Sequence, residues 1–186
     1  MSRPAKYKKI IYDSRIKSSQ NLVEAISKIE NKPNVFISAS AVGFYGHKGE
    51  EILTEESAGG NDFLAKLVYD WENVGQVVCN YNIRLASLRT GVVLSKDEGM
   101  VGKMKTPFKF FIGGPLGNGK QWVPWISLDD IVNIYEYVLE NEIEGPVNAV
   151  SPNPVRMNEF AKLLGKVLNR PSYLHAPKFG IKLVIL

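Results

Sequence analysis

The sequence predicts an α/β protein with a doubly wound parallel sheet, because helical patterns alternate along it with short apolar runs. Residues 34–40 (NVFISAS) show no polar alternation, which is typical of a strand covered on both faces. Apolar residues recur at helical spacing before this run, over residues 14–30, and after it, over residues 62–78. A strand over residues 84–89, extended by residues 91–94, continues the alternation.

The second half of the chain repeats the alternation after one long interruption. Residues 95–124 are rich in glycine and proline, and we expect a long loop of the kind that usually carries function. Beyond it the patterns predict strands over residues 125–127 and 146–150, and helices that run to Leu139 and over residues 157–168.

Composition limits the classes of protein. The 186 residues are 45% hydrophobic and 23% charged, which is ordinary for a soluble globular protein. A net charge of +4 without a nucleic-acid module signature predicts no nucleic-acid partner. One cysteine, Cys79, excludes a disulfide within the chain, and the isolated His47 and His175 predict no metal site. No apolar stretch approaches the ~20 residues of a membrane span, so we expect a cytoplasmic protein, or one of an organelle matrix.

Polar residues follow the predicted strands at their carboxyl ends. Ser38 and Ser40 end the first strand, Arg89 and Thr90 end the next, and Lys66 lies on the helix between them. Ligands of open parallel sheets bind at this end, so these side chains are predicted to converge on one cleft. The alternative is that a strand-end serine only satisfies nearby backbone groups.

Four stretches carry a resemblance to a known family: residues 38–46 (SASAVGFYG), 62–72 (DFLAKLVYDWE), 113–130 (GGPLGNGKQWVPWISLDD) and 145–154 (GPVNAVSPNP). They resemble the extended short-chain dehydrogenase/reductases, and within that superfamily the subgroup called epimerase family proteins. The resemblance implies a Rossmann-like fold that binds NADP(H) or NAD(H), with NADP(H) favoured. It also implies that residues 1–94 are the remaining part of the Rossmann-like domain, and that residues 95–186 form the substrate side.

Catalytic residues are implied by the same resemblance. In the superfamily a serine polarises the substrate, a tyrosine moves the proton, and a lysine four residues later holds the nicotinamide ribose. Ser40 and Lys66 match the serine and the lysine, but Asp62 stands where the tyrosine is expected. A carboxylate is a poor proton donor at neutral pH, so we expect Tyr45, in preference to Tyr69, as a possible substitute.

Ligand-binding residues are implied as two sets. For the cofactor they are Ser38, Ala39, Lys66, Arg89, Thr90, Gly91 and Val92. For a small-molecule substrate they are Phe44, Tyr45, Met104, Gln121 and Trp122, although an aromatic residue such as Trp122 could equally pack in a core.

The chain contains no Gly-rich turn of the kind that holds a cofactor pyrophosphate at a helix N-terminus. We therefore expect a partial Rossmann-like fold, truncated before its first residue and after the apolar residues 181–186, that binds cofactor weakly or not at all by itself. The expected activity is oxidoreduction or epimerisation of an unknown small carbonyl or hydroxyl compound. The alternatives are a catalytically impaired nicotinamide-binding sensor or scaffold, and a non-functional fragment.

Overall fold

The computed structural model describes residues 5–174, which fall into two compact units. The first unit runs to Thr90 and includes Ile134–Asn148. The second comprises Gly91–Asn133 and the residues from Ala149 onward. The apolar residues 181–186 lie outside the described part of the chain.

The first unit is built on a parallel strand pair. Its elements are α1 (Ala5–Lys28), β1 (Val35–Ala41), α2 (Phe63–Gln76), β2 (Arg84–Thr90) and most of β6 (Gly145–Ala149). The strand order is β1-β2-β6, and β1 and β2 run parallel with Ser40 opposite Arg89. Both predicted strands and the predicted helix between them are therefore confirmed.

An apolar cluster beneath α1 holds this unit together. Val23 and Ile26 of α1 pack with Ile83 and Leu85 around Val78, which is fully buried. Burial of such side chains from water is the main force that fixes the helices on the sheet. Val74 of α2 and Phe36 of β1 also pack against this cluster, so it joins α2 to the strand that leads into the candidate site.

Helix α1 begins at Ala5, so the predicted start at Ser14 is wrong. Ser14 lies inside the helix, where its hydroxyl donates to the Ile11 carbonyl at 2.8 Å instead of capping a first turn. The tertiary hydrogen bond from Tyr12 to Asp70 of α2, at 2.9 Å, ties the first half of the helix to the fold. Sequence periodicity alone does not reveal such a contact.

The second unit contains two small sheets and their helices. Its elements are β3 (Val92–Leu94), α3 (Gly99–Lys109), β4 (Trp122–Val123), β5 (Trp125–Ser127), the start of α4 (Leu128–Glu140), β7 (Val155–Arg156) and α5 (Met157–Leu168). Strands β3 and β5 are parallel, and β4 and β7 are antiparallel. The extension of the second predicted strand is therefore wrong, because β3 pairs with β5 rather than continuing β2.

Helix α3 corrects the prediction of one long loop over residues 95–124. Met104 and Phe108 lie one turn apart on α3, and each is only 1% exposed in the core of the second unit. Pro107 lies in the last turn of the helix, where it has no amide hydrogen to donate to the carbonyl one turn earlier. Burial of two large side chains outweighs the helix-breaking tendency of Gly102 and Pro107.

Two features are absent from residues 5–174. None of the helices there is long and apolar enough to cross a bilayer. No group of three or more His, Cys, Asp or Glu side chains in the same residues is arranged to hold a metal ion.

Candidate active site

The candidate site is built around the loop that leaves the carboxyl end of β1. Val42–Tyr45 forms a single 3₁₀ turn, and Gly46 follows it with a φ of 65°, in the left-handed region that favours glycine. The Gly60 amide donates to the Phe44 carbonyl at 2.8 Å, which closes the loop on itself. A Cβ on Gly60 would lie 2.7 Å from the Tyr45 carbonyl oxygen, so the close approach of the two backbone segments requires glycine.

Arg89 is the centre of the site. The residue is only 4% exposed, and its guanidinium lies 3.5 Å from the centre of the Phe44 ring. Its Nη1 donates to the Tyr45 hydroxyl at 3.0 Å and to the Glu55 carbonyl at 3.2 Å. Its Nε and Nη2 donate to the two carboxylate oxygens of Glu72, each at 2.9 Å. Every nitrogen of the guanidinium is therefore bonded within the first unit.

Burial and hydrogen bonding act in opposite directions on Arg89. Burial by itself lowers the pKa of the guanidinium because it penalises the charged form. Hydrogen bonds to Glu72 and Tyr45 raise the pKa by more, so the net shift is upward from the ordinary value. Arg89 is thus a permanent positive charge in the interior, and Glu72 is its counter-ion.

Glu72 also binds the predicted catalytic serine. Ser40 is 5% exposed, and its hydroxyl donates to Glu72 Oε1 at 2.5 Å. A serine has one hydroxyl hydrogen, so toward any further group Ser40 can only accept a hydrogen bond. Glu72 reaches the site because it follows Ala65 and Val68 on the buried face of α2.

Tyr45 is held in a similar way. The residue is 3% exposed, and its hydroxyl donates to Asn148 Oδ1 at 2.6 Å while it accepts from Arg89. The backbone amide of Asn148 in turn donates to Glu55 Oε1 at 2.8 Å. The hydroxyl hydrogens of Ser40 and Tyr45 are therefore both directed into one continuous polar network.

Asp62, which stands in place of the expected tyrosine, caps α2. Its Oδ1 accepts a hydrogen bond from the Ala65 amide at 2.9 Å, the geometry of an N-cap residue. Lys66 begins the second turn and is exposed, and within residues 5–174 no hydrogen bond joins its Nζ to Ser40 or Tyr45. Glu72 lies six residues beyond Lys66, which is about 9 Å along the helix axis. The structure therefore brings Ser40, Tyr45 and Arg89 together, and leaves Lys66 further toward the N-terminus of α2.

The remaining predicted residues of the first unit lie on opposite faces of the sheet. Ser38 is buried toward Gly75 of α2, whereas the side chain of Ala39 is exposed on the other face. The Thr90 hydroxyl donates to the Leu88 carbonyl at 3.1 Å. Among these residues Ala39 is the one whose side chain lies open to a ligand.

The predicted residues of the second unit are in different environments. The Gly91 amide donates to the Ala149 carbonyl and the Val92 amide to the Pro124 carbonyl, which secures the start of β3. Met104 belongs to the core. Gln121 Nε2 donates a hydrogen bond to the Leu116 carbonyl. Trp122 is 42% exposed, and the Arg156 guanidinium lies 3.8 Å from the centre of its ring.

Sequence reasoning missed three members of the network: Glu55, Glu72 and Asn148. A carboxylate on a helix is usually a solvated residue, and only the spacing of Glu72 from Ala65 and Val68 could have indicated burial. Glu55 and Asn148 are far apart in sequence and meet only through the fold, so no local signal identifies them.

The parallel strand pair, the loop at its carboxyl end and the helix that follows define a Rossmann-like α/β protein. The chain belongs to the NAD dependent epimerase/dehydratase family, whose sequence model matches residues 2–150. It is 42% identical over 181 residues to the chloroplastic epimerase family protein SDR39U1 homolog of Arabidopsis thaliana, covering 96% of this chain and 52% of that protein.

Two further relatives support the assignment. The epimerase family protein YfhF of Bacillus subtilis is 40% identical over 176 residues, which are 94% of this chain and 58% of that protein. The crystal structure of human epimerase family protein SDR39U1 with NADPH matches 99% of this chain and 63% of its own, with a TM-score of 0.87 at 30% identity. The chain thus spans between half and two thirds of the length of these relatives.

Proposed function

We propose that the protein containing this chain is an NADP(H)- or NAD(H)-dependent oxidoreductase or epimerase that acts on a small hydroxyl or carbonyl compound. The observation that carries the proposal is the ordered loop of Phe44 and Tyr45, held by Arg89 at the carboxyl end of parallel strands. Ligands of open α/β sheets bind at that end. The human relative, solved with NADPH, supports the choice of a nicotinamide cofactor.

Residues of this chain fit the nicotinamide and ribose end of such a cofactor. Ala39 is small and exposed on its sheet face, and Lys66 is exposed on α2, so both are open to a ligand. In this proposal Lys66 holds the ribose hydroxyls by hydrogen bonding. The cofactor supplies hydride transfer, while the pyrophosphate requires a Gly-rich turn that these 186 residues do not contain.

Proton transfer in this proposal falls to Tyr45 or Ser40, and Asp62 acts as the helix cap. Tyr45 would donate to a substrate after release of its hydrogen from Asn148, and Ser40 after release from Glu72. Phe44 is proposed as a substrate contact of the first unit. Gln121 and Trp122 are proposed separately as substrate contacts of the second unit. We propose a cytoplasmic or organelle-matrix protein that acts on a small molecule.

A second function is favoured by one observation: both site hydroxyls donate inward, so neither presents a hydrogen to a ligand. A site of this kind suits a nicotinamide-binding sensor or scaffold that binds the cofactor without turning it over. The two functions share the cofactor and differ in catalysis, so one protein preparation can separate them.

The test is a chimera in which this chain replaces the matching 176-residue region of the Bacillus subtilis relative. Nicotinamide fluorescence should report NADPH binding, and Lys66→Met should weaken it by roughly tenfold, the loss expected for one charged hydrogen bond. The control Lys162→Met, at an exposed position on α5, should bind like the unsubstituted chimera. A folded chimera that binds neither NADPH nor NADH refutes the proposal.

Turnover separates the enzyme from the sensor. The chimera is assayed for NADPH oxidation against a panel of small aldehydes and ketones, and for NADP⁺ reduction against the matching alcohols. Oxidation or reduction that is lost in Tyr45→Phe supports the enzyme. An epimerase regenerates its cofactor, so epimerisation of the same alcohols is followed separately by the change in optical rotation. Cofactor binding without oxidation, reduction or epimerisation of any compound supports the sensor.

A further inference from the structure

The two buried hydroxyl groups of the site donate to acceptors of different charge. Ser40 donates to the carboxylate of Glu72 at 2.5 Å. Tyr45 donates to the neutral side-chain oxygen of Asn148 at 2.6 Å. A hydrogen bond to a charged acceptor is roughly twice as strong as one between neutral groups, so the hydrogen of Ser40 is held more strongly than that of Tyr45.

The two acceptors also differ in how they are fixed. Both carboxylate oxygens of Glu72 are bonded to Arg89, so moving Glu72 away from its hydroxyl partner would break a buried ion pair. In the described residues 5–174, the side chain of Asn148 is hydrogen-bonded to Tyr45 alone. The backbone amide of Asn148 is bonded to Glu55 at 2.8 Å, so the side chain can rotate away while the strand stays in place.

The charges beside the two oxygens favour the same residue. An oxygen that gives up its hydrogen becomes negative, and a fixed donor or positive charge nearby stabilises it. The Tyr45 oxygen lies 3.0 Å from Nη1 of Arg89, which donates to it. The Ser40 oxygen lies 2.5 Å from an oxygen of the Glu72 carboxylate, and two negative oxygens at that distance repel each other. Proton loss is therefore favoured at Tyr45 and opposed at Ser40.

We propose that Asn148 is a positioning residue that holds the hydroxyl hydrogen of Tyr45 until a substrate oxygen replaces it, and that Tyr45 rather than Ser40 donates the proton. In the reducing direction the O–H bond of Tyr45 breaks and a new O–H bond forms on the carbonyl oxygen of the substrate, while the carbonyl carbon takes hydride from the reduced cofactor. The phenolate of Tyr45 accepts from Arg89 and regains a proton from water. Ser40 remains a hydrogen-bond acceptor. The inference rests on the enzyme of the proposed function, and it adds the residue that directs the proton.

The first test measures turnover by the Bacillus subtilis chimera with the compound of the panel that it converts fastest. Asn148→Asp keeps the size of the side chain but makes the acceptor a carboxylate, so the Tyr45 hydrogen should be released less readily. We expect kcat to fall by roughly tenfold with little change in KM, and Asn148→Ala to lose less. A merely structural role predicts the reverse order, because aspartate fills the same space and alanine leaves a gap. Asn21→Asp, at an exposed position on α1, is the matched control and should keep the kcat of the unsubstituted chimera.

The same assay compares the two candidate proton donors. Tyr45→Phe should lower kcat by at least roughly a hundredfold, which is the usual contribution of a general acid, and Ser40→Ala should lower it by less than about tenfold. If Ser40 were the donor, the two losses would be in the reverse order. Far-UV circular dichroism checks that each variant is folded.

Carbon-13 NMR of the chimera without cofactor tests the hydrogen bond itself. The chemical shift of Tyr45 Cζ reports the hydrogen bonding of the hydroxyl, and its signal is assigned by its loss in Tyr45→Phe. The signal should move in Asn148→Ala, and in the opposite direction in Asn148→Asp, because one variant removes the acceptor and the other strengthens it. In Asn21→Asp it should not move.

The outcomes separate the inference from the proposed function. An unsubstituted chimera that converts no compound refutes the enzyme, and the inference fails with it. If the chimera does convert a compound, any of three results overturns the inference alone: a kcat of Asn148→Asp equal to or above that of Asn148→Ala, a greater loss in Ser40→Ala than in Tyr45→Phe, or a Tyr45 Cζ signal that Asn148→Ala leaves in place. If a variant of Asn148 does not fold, the comparison of Tyr45→Phe with Ser40→Ala decides.

Discussion

Removal of the Glu72 carboxylate should be one of the most destabilising single changes in the first unit. In Glu72→Ala, Arg89 keeps its positive charge but loses the acceptor of its Nε and Nη2, and Ser40 loses the acceptor of its hydroxyl. Arg89 is 4% exposed, so water replaces the lost partner poorly. Loss of one member of a buried ion pair typically costs about 3–5 kcal/mol.

Urea unfolding, followed by circular dichroism and tryptophan fluorescence, measures this cost. With a slope of about 2 kcal/mol per molar urea, a loss of about 4 kcal/mol lowers the midpoint by about 2 M. The double variant Glu72→Leu with Arg89→Met removes both charges, so it should lose less than the sum of the single variants, with a coupling energy of about 2–3 kcal/mol.

A surface ion pair provides the control. Arg84 Nε and Glu142 Oε2 are 3.5 Å apart, but the Glu142 side chain is 96% exposed. Glu142→Ala should therefore change the free energy of unfolding by less than about 1 kcal/mol. If Glu72→Ala costs no more than Glu142→Ala, or if the double variant is fully additive, the assignment of Glu72 as the buried counter-ion of Arg89 is refuted.

Three smaller predictions concern the cap, the loop and the alkaline range. Asp62→Ala should lower the free energy of unfolding in urea by about 1 kcal/mol, because it removes the side-chain oxygen that caps α2. Asp62→Asn keeps a capping oxygen and should lose much less, so equal losses in the two variants would exclude capping. Gly60→Ala should cost about 1–3 kcal/mol, because its Cβ would meet backbone atoms at 2.7–2.9 Å, whereas Gly43→Ala, with its nearest contact at 3.7 Å, should cost less. The hydrogen bond to Asp70 raises the pKa of Tyr12 in the folded protein above its ordinary value of about 10. The stability that this hydrogen bond contributes is therefore complete below about pH 10, and it is lost as the pH rises through the raised pKa of Tyr12 in the folded protein. In Tyr12→Phe the free energy of unfolding should no longer fall over this alkaline range. If it falls as in the unsubstituted chain, the decline is caused by a group other than Tyr12.

The regular elements that pack on the sheet could be predicted from sequence because their periodicity is strong. The strand of residues 34–40 and the helix of residues 62–78 match β1 and α2 to within two residues at each end. Helix α3 could not be predicted, because Gly99, Gly102 and Pro107 disfavour a helix locally. Only the tertiary burial of Met104 and Phe108 overrides that local preference.

The site shows the same division between local and tertiary information. Strand-end position identified Ser40 and Arg89, and the loop motif identified Tyr45, so half of the buried network could be named from sequence. The partners that fix their hydrogen bonds could not, since Glu72 looks like a solvated helix residue and Asn148 lies 103 positions from Tyr45. Sequence also predicted that Lys66 converges with Ser40 and Arg89 on one cleft. Glu72, which Ser40 contacts, lies about 9 Å along α2 from Lys66, and the convergence of Lys66 on the cleft stays a prediction.

We propose that a nicotinamide cofactor binds where β1 and β2 end, beside the loop that Arg89 holds. Amide chemical-shift mapping of the Bacillus subtilis chimera during an NADPH titration tests it most directly. The largest shifts should fall on residues 39–46, on Lys66 and on residues 90–92, and the amides of α5 should not move. Saturable shifts confined to other parts of the chain, with residues 39–46 unaffected, would contradict the claim.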